Sequence, residues 1–411
     1  MNIKLFVRRF KVKLKLFYII FISSPKNWRA PKKVEILVYD ANTTKEVLIP
    51  LLKKYNFDVL AIRGEFINIP CLLRSFLGLN FWRGDLLSAY IESYILAVQP
   101  KIIITLNDNN RRFFCISKRF PNLKTIFFQN GLKGYTESLF DILIKSPSYH
   151  VDYMFVISDA IGKYYLKYMT GKYIPVGTLR NNNVIKKYTS PKSNDILFIS
   201  QWCKKPKNGE PFWVRHDGGF LSWETVFSVE LKVIKLLAKW CMENNKKLKI
   251  CGHFPEKELK RLEENFYIDS IGQIKCMWEY VQKKNYPASY NLVDESHIIV
   301  SIDSTLGYES LARGKKTAFF SCRGDYIKDS SYRFGWPLEL PNKGPMWISN
   351  QDELECELPK IMDYLNTVSE NDWKENCQHY KNLIMELDQG NKQLIKLLNQ
   401  LLSEKEKYKL C

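Results

Sequence analysis

The strongest constraint in this chain is an alternation. Short β-branched apolar runs give way to longer amphipathic stretches, the pattern stops once, and it then starts again. Val34–Asp40, Phe57–Arg63, Lys101–Asp108, Leu123–Gly131 and Tyr153–Ser158 read as strands, and Tyr173–Gly177 closes this half. Thr43–Lys54 and Asp85–Val98 carry apolar residues at helical spacing. Apolar runs of this length, bounded by turn residues, suit strands covered on both faces. Strand–helix alternation predicts a parallel sheet with right-handed crossovers.

The interruption is the polar stretch 180–194, which predicts a linker. Beyond it, Ile196–Gln201, Leu248–Phe254, Ile298–Asp303 and Thr317–Cys322 read as strands and Glu224–Asn244 as a long helix. Glu309–Arg313 opens a short helix ended by Gly314, and the tail from Ser369 is helical and Lys-rich. A length of 411 residues favours two domains. The expected class is α/β, with two Rossmann-like domains whose parallel sheets face a central cleft. The expected units are an arm (1–33), an amino-terminal domain (34–185), a carboxyl-terminal domain (186–368) and closing helices (369–411). Ligands in such sheets bind beyond the carboxyl ends of the strands.

Charge narrows the partners. Lys and Arg number 62 against 43 Asp and Glu, a net charge of +19. Ten of these cations fall in residues 1–33, which hold no acid. The longest apolar run there, Leu16–Ile22, is too short to span a bilayer. The arm is expected to lie on an anionic membrane surface. Ten scattered cysteines without a C-x-x-C pair are the usage of a reducing compartment. Nothing resembles a recognition helix or a base-stacking sheet, so nucleic acid is not an expected partner.

Asp303-Ser304-Thr305-Leu306-Gly307-Tyr308-Glu309 follows a predicted strand and opens a helix. Ser304 and Thr305 offer hydroxyls, Gly307 allows a close backbone approach, and a helix start attracts phosphate. Glu309 can accept from two ribose hydroxyls; the competing reading is an ordinary helix cap. His253, after another strand, can donate to a phosphate or protonate a leaving group. Trp336, Lys343, Gly344 and Trp347 lie in a loop that either walls the cleft or packs between domains. Gln129-Asn130-Gly131 ends a strand with amides suited to a sugar. There is no G-x-G-x-x-G, Walker loop or D-x-D.

The segment HIIVSIDSTLGYESLARGKKTAFFS, followed by FGWPLELPNKGPMW, resembles a family of bacterial surface-carbohydrate proteins from O-antigen and capsule loci. The resemblance implies a two-domain GT-B glycosyltransferase. More remotely, the chain is similar to transferases that use CMP-activated acids such as Kdo or sialic acid. Those enzymes place a His-Pro pair and a Ser-Ser/Thr pair on the CMP phosphate. Ser304-Thr305 matches the second, whereas His253-Phe254-Pro255 departs from the first by one inserted residue.

Inverting transfer needs a carboxylate near the acceptor hydroxyl to take its proton. The candidates are Asp40, Glu65, Asp108 and Asp217, with Glu65 and Asp108 preferred. The expectation is a glycosyltransferase on the cytoplasmic face of a cell membrane. It moves a CMP-activated acid sugar onto a lipid-linked glycan, without a metal or a further cofactor. The rivals are a CDP-polyol phosphotransferase of the same fold and a non-catalytic basic binding protein.

Overall fold

The computed structural model describes residues 23–41, 46–77, 85–132, 149–186, 191, 193–207, 210–215, 217–282 and 285–403. Most of the basic arm, and part of the helix expected over Thr43–Lys54, lie outside these residues. Of that helix the described part is Ile49–Leu52.

Two sheets form. The first contains β1 (Ile36–Tyr39), β2 (Phe57–Leu60), β3 (Ile102–Thr105), β4 (Lys124–Phe128), β5 (His150–Val156) and β6 (Thr170–Pro175). Their order is β2-β1-β3-β4-β5-β6, and every pairing is parallel. The second contains β7 (Ile196–Ile199), β8 (Leu248–Cys251), β9 (Trp278–Val281), β10 (Ile298–Ser301), β11 (Lys316–Phe319), β12 (Lys343–Gly344) and β13 (Trp347–Ile348). Its order is β9-β8-β7-β10-β11-β13-β12, parallel except for β12 against β13. β1, β3, β7 and β10 are buried along their whole length, as strands covered on both faces must be.

The longer helices are α1 (Ile69–Ser75), α2 (Leu86–Val98), α3 (Asp159–Tyr165), α4 (Leu179–Asn183), α5 (Trp223–Glu243), α6 (Lys257–Ile271), α7 (Tyr286–Glu295) and α8 (Thr305–Ala312). α9 (Leu354–Thr367), α10 (Glu370–Ile384) and α11 (Lys392–Ser403) follow. Asp85 caps α2 by accepting from Ser88 N, and Ser222 caps α5 by accepting from Thr225 N.

Two expectations change. The stretch beginning at Arg180 is not a solvated linker at its start. Asn181 and Asn182 in α4 are buried: the Asn181 amide joins the lobes, and the Asn182 amide ties α4 to Val176 and to the returning tail at Asp388 and Asn391. Asn181 Nδ2 donates to the Glu309 carbonyl at 3.4 Å, and Arg313 Nη1 donates to Asn181 Oδ1 at 3.0 Å. The helix expected to open at Glu309 starts one turn earlier, at Thr305, capped by Ser304.

The chain returns to the first lobe at its end. Glu386 N donates to Ile157 O at 2.8 Å and Asp388 N to Val176 O at 3.1 Å. Leu394, Leu397, Leu398 and Leu401 of α11 then pack into one core cluster with Ile36, Val38, Ile102, Ile104 and Ile126. This spacing places one leucine stripe on the sheet. Truncating a buried leucine leaves a cavity as well as losing apolar burial. Leu398→Ala should therefore cost about 2–5 kcal/mol in urea unfolding; a loss near zero would mean that α11 does not complete the first lobe.

Candidate active site

A cavity of about 490 Å³ opens between the lobes. Its walls come from the carboxyl ends of strands in both sheets, from α4 and from the start of α8. Gln129, Asn130, His253, Ser304, Thr305 and Glu309, all expected from sequence, line it together.

On the second lobe, Ser304 has extended backbone and its Oγ accepts from Leu306 N at 3.3 Å. Ser301 Oγ in turn accepts from Ser304 N at 3.2 Å. Gly307 is required by packing: a Cβ there would sit 2.4 Å from Ser301 Cβ and Oγ. Thr305 Oγ1 accepts from Leu132 N of the first lobe at 3.2 Å. The neighbouring Gly131 has φ +83, and a Cβ on it would lie 3.1 Å from that same oxygen. The turn needs glycine for both reasons.

Glu309 is buried, with Thr178 donating to Oε1 and Tyr290 to Oε2, the latter at 2.9 Å. Burial pushes its carboxyl upward, and these two hydroxyls pull it back. Gln129 has both ends of its amide engaged: Nε2 donates to Gly131 O at 3.1 Å and Oε1 accepts from Ile157 N at 3.1 Å. It shapes the turn, whereas Asn130 is exposed on the cleft wall.

The other expected residues stand apart from the lining. Asp108 is buried behind Asn130, accepting from Asn130 N and Tyr165 OH, each at 3.3 Å. Glu65 is exposed beyond the edge strand β2 and accepts from Arg63 N at 3.1 Å. Asp40 is buried against Arg63 and Asn107. Asp217 sits in an exposed hairpin turn, bound by Arg215 Nε and Gly219 N. Lys343 and Trp347 do not wall the cleft. Trp347 is buried in β13, stacked on Phe334 with its Nε1 donating to Pro341 O at 3.0 Å. Lys343 pairs with Glu353 at 3.0 Å on the surface. The loop's cleft-side contact is Trp336, whose ring meets Tyr164 of α3 edge-on at 5.2 Å, so it packs between the lobes.

Sequence reasoning missed Arg180, Thr178, Tyr290 and Arg323 and gave Asp303 no role, though all five are in the lining. The linker reading hid the first, and Thr178 falls just before that stretch. A threonine followed by a short polar segment was a usable cap signal, and Thr178 Oγ1 indeed accepts from Asn181 N at 3.2 Å. No lysine lines the cleft among the described residues. Arg313, just behind it, is locked to Asp294, Asn181 and the Val184 carbonyl. Arg323 is locked to Glu230 and Asp303. Arg180 is exposed in the cleft; its side chain makes no hydrogen bond or ion pair among the described residues, and its charge acts on the neighbouring Glu309 and Tyr290.

A family profile described as "putative O-antigen biosynthesis protein" matches residues 126–402. The chain belongs to that family. The match takes in both walls of the cleft, from β4 through α8 to α11. Among solved structures, a "putative UDP-N-acetylglucosamine 2-epimerase" from Listeria monocytogenes is 11% identical, over 90% of this chain and 97% of that one, with a TM-score of 0.51. This likeness is one of fold, the two-lobed arrangement expected from the sequence. The UDP-GlcNAc 2-epimerase of Methanocaldococcus jannaschii is 13% identical over 90% and 100%, with a TM-score of 0.48. The wall teichoic acid polymerase TagF is 10% identical over 98% and 96%, also at 0.48. No curated protein matches in sequence.

Beneath the cavity lies a buried polar cluster. Arg323 Nη2 donates to Glu230 Oε2 at 3.1 Å and Nη1 to Asp303 Oδ1 at 3.2 Å. Tyr267 OH donates to Glu230 Oε1 at 2.5 Å. Ser200 Oγ donates to Glu263 Oε1 at 2.5 Å. Glu263 also accepts from the backbone N–H groups of His253 (2.9 Å) and Phe254 (3.4 Å), which fixes the turn presenting the imidazole. Burial raises the Glu230 carboxyl from 4.5 to about 7, against the pull of Arg323 and Tyr267. A carboxyl whose folded pKa exceeds its unfolded one binds more protons when folded. Its contribution is present below the unfolded value and is lost as pH rises through the folded value. Stability should therefore fall between pH 4.5 and about 7, by about 3 kcal/mol at most. Glu230→Gln should flatten that slope in urea titrations; an unchanged slope would contradict the assignment.

Proposed function

We propose that this chain is a glycosyltransferase of surface-glycan assembly that binds a nucleotide-activated sugar, a CMP-activated acid sugar, in the interlobe cleft. The observation that carries the reading is the convergence there of a capped helix start, an exposed histidine and an uncommitted arginine. Membership of an O-antigen biosynthesis family supports a glycan product.

In this reading the donor phosphate meets the Thr305 N–H at the start of α8 and the Ser304 and Thr305 hydroxyls. Arg180 supplies the positive charge that no lysine provides. Its fork suits an anionic oxygen pair, such as a phosphate or a sugar carboxylate. Glu309, fixed by Thr178 and Tyr290, accepts from the ribose. Charge that builds on the departing phosphate is met by donors already in place, which is where such sites gain most of their rate.

His253 is exposed on the cleft wall, with access to the acceptor's proton. For Asp108 to act as base, Asn130 would have to move aside. For Glu65 to act, the acceptor would have to approach across the sheet edge. The acceptor is a lipid-linked glycan brought to the inner face of the membrane.

Calorimetric titration with CMP and with CMP-activated acid sugars tests the donor site. Ser304→Ala with Glu309→Ala should abolish CMP binding, and Arg180→Ala should weaken it about tenfold or more. Unchanged affinity in the double variant would show that the nucleotide is held elsewhere. In transfer assays, His253→Ala should lower kcat by about 10²–10⁴ with little change in KM. Glu65→Gln should retain most activity; the opposite pattern would move the base to Glu65.

A further inference from the structure

The outer edge of the first lobe carries a surface that the donor site does not explain. Lys26–Asn27 pairs in parallel with Ile67–Asn68. Asn68 Nδ2 donates to the Arg29 carbonyl at 2.8 Å, which straps residues 24–29 along the start of α1. Asn68 then caps α1 by accepting from Cys71 N.

This helix is apolar on both faces. Cys71, Leu72 and Ser75 face the core. Leu73, Phe76 and Leu77, spaced i, i+3 and i+4, face outward, with Leu73 60% and Leu77 85% exposed. Trp28, on the adjoining strap, is 74% exposed. Large apolar side chains gathered on one outer face mark a binding surface.

Charge identifies the occupant. Residues 23–34 and 66–77 hold five cations, Lys26, Arg29, Lys32, Lys33 and Arg74, and no acid. Among the described residues, Arg29, Lys32, Lys33 and Arg74 make no ion pair. A second copy of this face would set like charges against each other, and nucleic acid would leave the apolar ridge uncovered. An anionic bilayer satisfies both: headgroups meet the cations while leucine, phenylalanine and tryptophan enter the interfacial layer.

We infer that the strap at residues 24–33 and the outward ridge of α1 form a membrane-docking face for anionic lipid. The face hangs from the cleft-side end of the sheet's outermost strand. Ser24 Oγ donates to the Gly64 carbonyl at 2.6 Å, just beyond β2. A lipid-borne acceptor held there stands at the acceptor side of the cleft. The inference is independent of the donor's identity, so a failure to bind CMP leaves it untouched.

Co-sedimentation of the full chain with phosphatidylglycerol–phosphatidylcholine vesicles, and with phosphatidylcholine alone, tests it. The full chain should bind the anionic vesicles and release with salt. Leu73→Glu/Leu77→Glu and Arg29→Glu/Lys32→Glu should each lower partitioning about tenfold or more. Both pairs are exposed, so melting temperatures should match the parent. Parental partitioning in the leucine variant would assign binding to residues 1–22 alone and overturn the inference. Equal binding to neutral vesicles would overturn it too, as would a dimer that the leucine variant dissolves.

Discussion

The arrangement depends on a polar seam between the lobes. Thr178 donates to Glu309, Asn181 bridges to the Glu309 carbonyl and to Arg313, and Arg313 is held by Asp294 with both side chains fully buried. A buried ion pair adds little over a well-packed apolar pair, but losing one partner costs about 3–5 kcal/mol. The seam therefore acts less as a source of stability than as a register. It sets the carboxyl ends of one sheet opposite those of the other, and the cavity is the gap that remains. Leu132 N on Thr305 Oγ1 closes the same register from the other wall.

That seam also explains what the sequence could and could not reveal. β-branched runs such as Ile102–Thr105 and Ile298–Ser301 announce buried parallel strands, because nothing else accommodates so much apolar surface on both faces. The Ser304 turn was legible because a cap before a helix is a local device. Arg180, Asn181 and Asn182 were not. In sequence they look like a solvated connection. Asn181 is buried only because Glu309 and Arg313 arrive from more than a hundred residues away, and Asn182 only because the tail returns at Asp388 and Asn391. Trp347 failed in the opposite sense: an aromatic loop suggested a cleft wall, but Phe334 and a backbone carbonyl claim its ring. Asp108 was rightly placed at a strand end, yet Asn130 and Tyr165 fold over it. Strand ends were predictable; which of their side chains reach open space is a tertiary outcome.

Electrostatics follow the same division. Arg313 and Arg323 are consumed in holding the framework, each against buried carboxylates. Arg180 comes from the crossover itself and keeps its guanidinium in the cavity. A cation without a hydrogen-bonded partner can meet an anion at low cost, whereas one already paired would first have to break its ion pair. Glu263 plays a comparable part for His253, holding the backbone of its turn while leaving the imidazole toward the cleft.

The central claim is that one nucleotide bridges these two walls. A crystal of the full chain soaked with CMP tests it directly. The account predicts the phosphate at the Ser304–Thr305 helix start, with the Arg180 guanidinium turned onto it and the ribose at Glu309. Nucleotide bound outside the interlobe cavity, or held with Arg180 facing away, would contradict it.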